Sequence, residues 1–335
     1  MITKTKQTIM RFSIVASLLL FLPGFLTLNA QELPLLTEKP GTFEILSRTD
    51  YTSYDCGYSK AEITANLQRI TDLVNVVRQN YVLRELEGFD GRARIYNINC
   101  KYTGGYGIPS RISFEFASWY RLKDGTPARG LIEPPEWSLY INQAIPGWGA
   151  SYSHDAKHGY FTAPLRKNTP EPGIDVYDGE WFVIYDPARP PYWIPVTVNE
   201  AFAAVRENMN NEKDEVAAAY LKEYVEKEYA EIPESDRDKP AYFGGGVSRV
   251  SSEHGYGGQD SIFPRIVKVN PEYWNRDLPK SAIQLINFNS IQNKEYLRKI
   301  KEEYLQNNSI SYNVKRFEES YDMDDIRKLV PLIGK

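Results

Sequence analysis

The sequence predicts an α+β protein: a mostly antiparallel central sheet with flanking helices, followed by a smaller C-terminal β-β-α-β-α unit. Three observations carry this. Between Gly91 and Trp193, short runs rich in β-branched and aromatic residues are broken by Gly and Pro. Amphipathic helical patterns flank that region, and strand and helix patterns follow one another again near the C-terminus. The expected division is a signal peptide over 1–30, an α+β domain over 31–232, a Gly-rich loop or linker over 233–261, and an α+β unit over 262–335. That last unit either stands alone or completes the first sheet.

At the N-terminus, Lys4, Lys6 and Arg11 precede the apolar run Phe12 to Leu28, and the small residue Ala30 stands before Gln31. This is the pattern of a cleavable signal peptide. Pro23 and Gly24 interrupt the run, which falls short of the ~20 apolar residues a spanning helix needs. Met10 is an equally good start site. No cysteine directly follows the run to be acylated. An exported protein, periplasmic or extracellular, is therefore expected, with no stable membrane anchor after cleavage.

Loss of the three basic residues takes the formal net charge from −4 to −7 over a mature chain of about 305 residues. That acidic balance argues against a nucleic-acid partner. Two cysteines, Cys56 and Cys100, remain, and an exported chain usually pairs an even number of them, so a disulfide is expected. Neither has the short Cys-x-x-Cys spacing of a zinc site.

Ser59-Lys-Ala-Glu62 reads as a capping box opening a helix to about Asn80, with Ile63, Leu67, Ile70, Val74 and Val77 on one face. Strands are expected over Arg92 to Asn99, Arg111 to Leu122, Trp137 to Asn142 and Glu180 to Tyr185. Alternation in Arg111 to Phe116 puts Ile112, Phe114 and Phe116 on one, buried side and Ser113 and Glu115 on the other, and Glu115 is expected to face solvent. Trp181 to Tyr185 lacks alternation and reads as a central strand covered on both faces. A second capping box, Thr197-Val-Asn-Glu200, starts a helical pair whose second member runs from about Glu212 to Glu231. After the Gly-rich stretch come strands at Ile262 to Val269 and Ala282 to Phe288, a helix at Asn293 to Gln306, a strand at Ser309 to Arg316 and a short helix at Met323 to Val330.

The chain has three histidines, His154, His158 and His254. Four-residue spacing suits a metal on a helix, but glycines surround His154 and His158, so no metal site is favoured on them alone. A site would need His254, Asp155 or Glu253 brought alongside. No Gly-x-Ser-x-Gly elbow is present, and the glycine runs lack the marks of phosphate or dinucleotide loops. No cofactor is implied. Glu133, Glu136, Asp178 and Glu180 lie beside aromatics as candidate paired carboxylates for glycoside cleavage.

Aromatic content stands out, with 24 Tyr and 6 Trp, many beside Gly or Pro. Tyr102, Tyr106, Trp148, Tyr152, Tyr160, Tyr192, Trp193, Tyr242 and Tyr256 fall in expected loops or strand ends, where a flat apolar body with a polar rim suits a sugar or peptide surface. Trp148, Tyr152, Tyr160 and Tyr256 are the foremost ligand-binding candidates. The expected function is an exported protein presenting these rings to a glycan, cell-wall fragment or protein partner. The alternative is a secreted hydrolase, assisted by a metal on His154, His158 and His254 or built on carboxylates.

Overall fold

A parallel strand pair opens the fold, and its connection explains the first helices. Strands β1 (Phe43–Arg48) and β2 (Phe89–Asn97) run side by side in the same direction, which no tight turn permits. Helices α1 (Lys60–Val77) and α2 (Tyr81–Glu85) make the crossover. The expected capping box is present: the Glu62 amide donates to Ser59 Oγ at 3.2 Å, and the Ser59 amide donates to the Glu62 carboxylate at 2.7 Å. The computed structural model describes residues 33–48, 56–97, 106–130, 133–144, 158–165, 167–210, 215–244, 246–253 and 263–335.

All later pairings of the main sheet are antiparallel. Strand β3 (Ser110–Arg121) pairs with β2, with the short β4 (Pro127–Arg129), and with β5 (Glu136–Ile141). Strand β6 (Tyr160–Thr162) belongs to a separate small sheet. Strands β7 (Lys167–Glu171), β8 (Ile174–Tyr177) and β9 (Trp181–Tyr185) form successive hairpins. Strand β10 (Trp193–Pro195) leads into the helical hairpin of α3 (Val198–Asn210) and α4 (Glu215–Glu231). Strands β11 (Tyr242–Phe243) and β12 (Val250–Ser251) pair with each other, and β13 (Ile266–Val269) lies between β10 and β6. The chain then supplies β14 (Leu285–Asn289), α5 (Lys294–Gln306), α6 (Tyr312–Ser320) and α7 (Met323–Arg327).

The path across the nine-stranded sheet is β1-β2-β3-β5-β14-β9-β8-β7, with β4 on the side of β3. Strand β14 thus sits between β5 and β9, in the middle of the sheet. Residues Leu33–Lys335 form one compact unit, and the C-terminal segment supplies a central strand of the main sheet. The α+β class and mostly antiparallel sheet expected from the sequence are present.

Register divides the sheet into two unlike faces. Ile95, Ile112, Leu139, Phe288, Phe182 and Val176 stand in one transverse row, each directly opposite the next. All are buried against α1, α2, α6 and α7 in one apolar cluster. Trp137 is central to it, with ring centroids 5.7 Å from Phe114, 5.3 Å from Phe288, 5.1 Å from Phe317 and 5.0 Å from Tyr321. A second cluster packs α3 and α4 on the small sheet through Phe202, Val225 and Ile266.

Two expectations are corrected. Ser309 to Arg316 is not a strand: α6 begins at Tyr312 and runs to Ser320. The alternation of Ile310, Tyr312 and Val314 suggested period two, but Val314, Phe317 and Tyr321 follow helical spacing, and burial of Phe317 and Tyr321 against Trp137 decides the outcome. Glu115 is not turned to solvent. It is 7 % exposed and held by Arg92 and Arg94 from the adjacent strand. Among the described residues, no helix is long and apolar enough to cross a membrane.

Truncating a ring at this core leaves a cavity that the sheet cannot close, whereas a ring on the exposed side of α4 has little to lose. Phe317→Ala should cost about 3–5 kcal/mol, and Tyr220→Ala, at a residue 59 % exposed, less than about 1 kcal/mol. Urea denaturation of both variants checks this, and similar costs would place Phe317 outside the core.

Candidate functional site

The second face of the main sheet is polar at one end and aromatic at the other. Glu44, Arg92, Glu115 and Glu136 are successive cross-strand neighbours on β1, β2, β3 and β5. Two glutamates directly opposite each other repel, and the sheet answers with arginines. Arg94 donates to both Glu115 oxygens at 2.6 and 3.0 Å, Arg92 bridges Glu44 at 2.6 Å and Glu115 at 3.3 Å, and Arg111 binds Glu136 and the Ser138 hydroxyl. Ser113 donates to the same Glu136 carboxylate. Every one of these charges has its partner within the face.

Further along, the row Tyr140, Asn287, Val183, Asp175 leads to the aromatic end. There Tyr177, Trp181, Tyr192, Tyr273 and Trp274 form an aromatic cluster over β8, β9 and β14. Asp175 is fully buried within it. Its carboxylate accepts from Thr169 Oγ1 at 2.6 Å, Tyr192 OH at 2.6 Å and Tyr185 OH at 3.3 Å, and pairs with Lys167 Nζ at 2.6 Å. Burial, then the charge of Asp175, pushes the Tyr185 hydroxyl up to about 12. Burial drives Tyr177 and Tyr192 higher still, so all three phenols stay protonated at neutral pH. Because Tyr192 donates to a carboxylate that can only accept, the 2.6 Å contact between Tyr177 and Tyr192 has Tyr177 as donor.

The tip of the β8–β9 hairpin brings two carboxylates beside this cluster. Asp178 (φ 51°) and Gly179 (φ 77°) are both left-handed, the conformation that Asp-Gly adopts at hairpin turns. A cleft of about 320 Å³ opens between this tip and strand β6, lined by Thr162, Leu165, Tyr177, Asp178, Glu180, Trp181, Pro264 and Asn289, among others. Tyr177 and Trp181 are direct cross-strand partners, as are Trp181 and Asn289. Asp178 accepts from the Leu165 amide at 3.3 Å. Among the described residues, Trp181 Nε1, Asn287 Oδ1 and Ser290 Oγ are buried polar atoms without a hydrogen-bond partner.

The sequence candidates distribute unevenly over this site. Asp178 and Glu180 share the cleft, Glu136 is locked to Arg111, and Glu133 is exposed elsewhere on the turn before β5. Tyr160 lies on β6, half-buried, with the His158 ring 5.6 Å away and Lys268 Nζ 6.0 Å from its centroid. His158 Nε2 is 2.9 Å from Glu207 on α3. No group of three His, Cys, Asp or Glu side chains is placed to hold a metal among the described residues. Tyr192 is core, Trp193 donates its Nε1–H to Ala144, and Tyr106 stacks on Trp274 and accepts from Arg276. Tyr102, Trp148, Tyr152, Tyr256, His154, Asp155, His254 and Cys100 lie outside the described residues. Cys56 is half-buried at the entry to α1.

Sequence reasoning passed over Asp175, Tyr177, Trp181 and Asn289. A signal was there for two of them: Tyr177-Asp-Gly-Glu-Trp181 is a hairpin turn flanked by aromatics. Comparison with known proteins finds no matching family model, no similar curated protein and no similar solved structure.

Asp175→Ala would leave buried hydroxyls without an acceptor and should cost about 3 kcal/mol or more. Lys167→Ala, removing a side chain 48 % exposed, should cost no more than about 1 kcal/mol. Chemical denaturation tests the pair, and equal costs would mean that the ion pair, not the hydroxyls, holds the cluster.

Near Tyr160, burial pushes the Glu200 carboxyl up, but Lys268 at 2.5 Å and the Thr197 amide outweigh it and hold it below the usual carboxylate range. A depressed carboxyl stabilises fully above its unfolded pKa of roughly 4.3, and the gain is lost as pH falls through the folded value. The stability difference between the wild type and Glu200→Gln should therefore shrink as pH drops from about 6 to about 3. A difference that grows on acidification contradicts the assignment.

Proposed function

We propose that the chain is an exported ligand-binding protein and that the cleft at the β8–β9 tip takes a glycan, including a glycan strand of a cell wall. The observation that carries this is one concavity lined by two largely buried rings, Tyr177 and Trp181, and by the hydrogen-bonding groups of Asp178, Glu180, Asn289 and Thr162. Sugars offer apolar C–H faces to rings and hydroxyl rims to carboxylates and amides, so this mixture matches their chemistry. Asp175 and Tyr192 anchor Tyr177 from behind, which limits the ordering cost of binding. Tyr160, on the strand that forms the other wall, extends the contact surface in this reading, and Trp148, Tyr152 and Tyr256 stay ligand-binding candidates from the sequence alone. A Cys56–Cys100 disulfide belongs to the same picture of an exported protein, and no free cysteine is found among the described residues.

A second reading, a carboxylate-based hydrolase, is favoured by one observation: Asp178 and Glu180, both candidates from the sequence, line the same cleft. Calorimetric titration with soluble oligosaccharides, covering chitin, mannan, cellulose and peptidoglycan fragments, tests both readings. Binding by at least one member is expected, weakened roughly tenfold, or about 1.4 kcal/mol, in Glu180→Ala and Asn289→Ala without a change in melting temperature. No binding across the panel, or binding indifferent to both variants, overturns the proposal. Release of new reducing ends during the titration moves the hydrolase to first place.

A further inference from the structure

We infer that the sugar held in this cleft carries a short peptide, and that the peptide pairs with the open edge of β6. The inference rests on the glycan reading of the cleft and adds the second component of its occupant. Strand β6 is the last strand of the small sheet, whose path is β10-β13-β6. In an antiparallel pair, bonded and non-bonded residue pairs alternate, and the backbone groups of a non-bonded pair point away from each other. Thr162 lies opposite Ile266. Ile266 is turned to its other side, where its N–H donates to Ala241 O at 2.9 Å and its carbonyl accepts from the Val196 amide at 3.0 Å. The next residue on the β6 side, Ala163, is turned inward and donates to Arg265 O at 2.8 Å. The N–H and C=O of Thr162 therefore point outward, past the edge of the sheet.

Neither group has a hydrogen-bond partner among the described residues, and the same holds for the Pro164 carbonyl two residues on. Thr162 is 8 % exposed, and a largely buried backbone donor without a partner is costly. The segment is also seen edge-on from the cleft. A strand viewed face-on presents every second residue, whereas one viewed along its edge presents each in turn. Thr162, Ala163, Pro164 and Leu165 all line the cleft, so the cleft opens onto this edge.

The chemistry of the edge names what it takes. A donor and an acceptor on one residue are matched together by the N–H and C=O of one residue in an extended peptide, as when a strand is added to a sheet. Pro164 has no N–H, so the edge ends after one donor and two acceptors. That suits a peptide of roughly three residues and gives no template for a long strand from a partner protein. The other wall supplies Glu180, Asn289 and the rings of Tyr177 and Trp181, which the glycan reading assigns to the sugar. A sugar bearing a short peptide engages both walls at once.

The test is a matched pair of probes, a peptidoglycan disaccharide bearing its short peptide and the same disaccharide with the peptide removed, titrated calorimetrically. The peptide-bearing probe should bind at least about tenfold more tightly. Thr162→Pro removes only an N–H that lies outside the β6–β13 ladder, a position where an edge strand tolerates proline. Measured against Thr162→Val, which also lacks the hydroxyl but keeps the N–H, it should abolish most of the gain. Methylating the backbone nitrogens of the probe's peptide gives a check that needs no variant, because such a peptide cannot donate to the Thr162 carbonyl, and it too should lose the gain. Equal affinity for the two disaccharides, or tighter binding of the peptide-free one, overturns the inference and leaves the glycan reading standing. A gain that survives either change also overturns it, because the peptide would then be read away from this edge. If neither disaccharide binds, the inference fails, and the peptide-free members of the oligosaccharide panel decide separately whether the glycan reading survives.

Discussion

Strand β14 lies between β5 and β9 and hydrogen-bonds to both, and the two faces of the sheet depend on that placement. Its alternation puts Ile286 and Phe288 into the helix-covered core and Asn287 and Asn289 onto the opposite face. A slip of one residue would exchange these sets, driving two amides into the core and two large apolar side chains into the polar row. Phe288 stacks on Phe182 at 5.2 Å and meets the edge of Trp137 at 5.3 Å, which fixes the register from the core side. The position of Asn289 beside Trp181, and so one wall of the cleft, follows from packing on the other side of the sheet.

The polar face shows what it takes to hold like charges side by side on a sheet. Glu115 and Glu136 oppose each other across β3 and β5, an arrangement that repels unless cations intervene. Arg94 grips Glu115 through two nitrogens, a geometry that the planar guanidinium provides and a lysine could not.

Legibility from sequence followed the range of the interactions involved. The capping boxes at Ser59 and Thr197 are local, and both form. Alternation along β3 is local too, and Ile112, Phe114 and Phe116 are buried as it implies. Glu115 was misread because alternation says which face a residue takes, not whether neighbouring strands bring arginines to cover it. The helix α6 was misread because its first residues alternate by chance, while the side chains that settle its conformation, Phe317 and Tyr321, find Trp137 from far away in the chain. The candidate site was half legible. Asp178 and Glu180 stood out as acids beside aromatics, but Asn289 and Thr162 reach the cleft only through long-range pairing. Asp175 gave no local sign, since nothing in Ile-Asp-Val-Tyr says that Thr169, Tyr185, Tyr192 and Lys167 converge on it.

The buried carboxylate and the exposed pair are linked through the backbone of one hairpin. Strand β8 is four residues long, and its Asp175 and Tyr177 point to the same face, with Asp178 following directly. Fixing Asp175 by four partners fixes the strand, and the Tyr177–Tyr192 contact fixes the residue before the turn. The turn itself has little freedom, because Asp178 and Gly179 are both left-handed and Glu180 N–H bonds back to Tyr177 O at 3.0 Å. Two carboxylates on a hairpin tip would ordinarily sample many positions. Here they are carried on a short strand whose buried end is anchored by hydroxyls and an ion pair, so the acidic edge of the cleft is presented by a rigid element rather than by a loop.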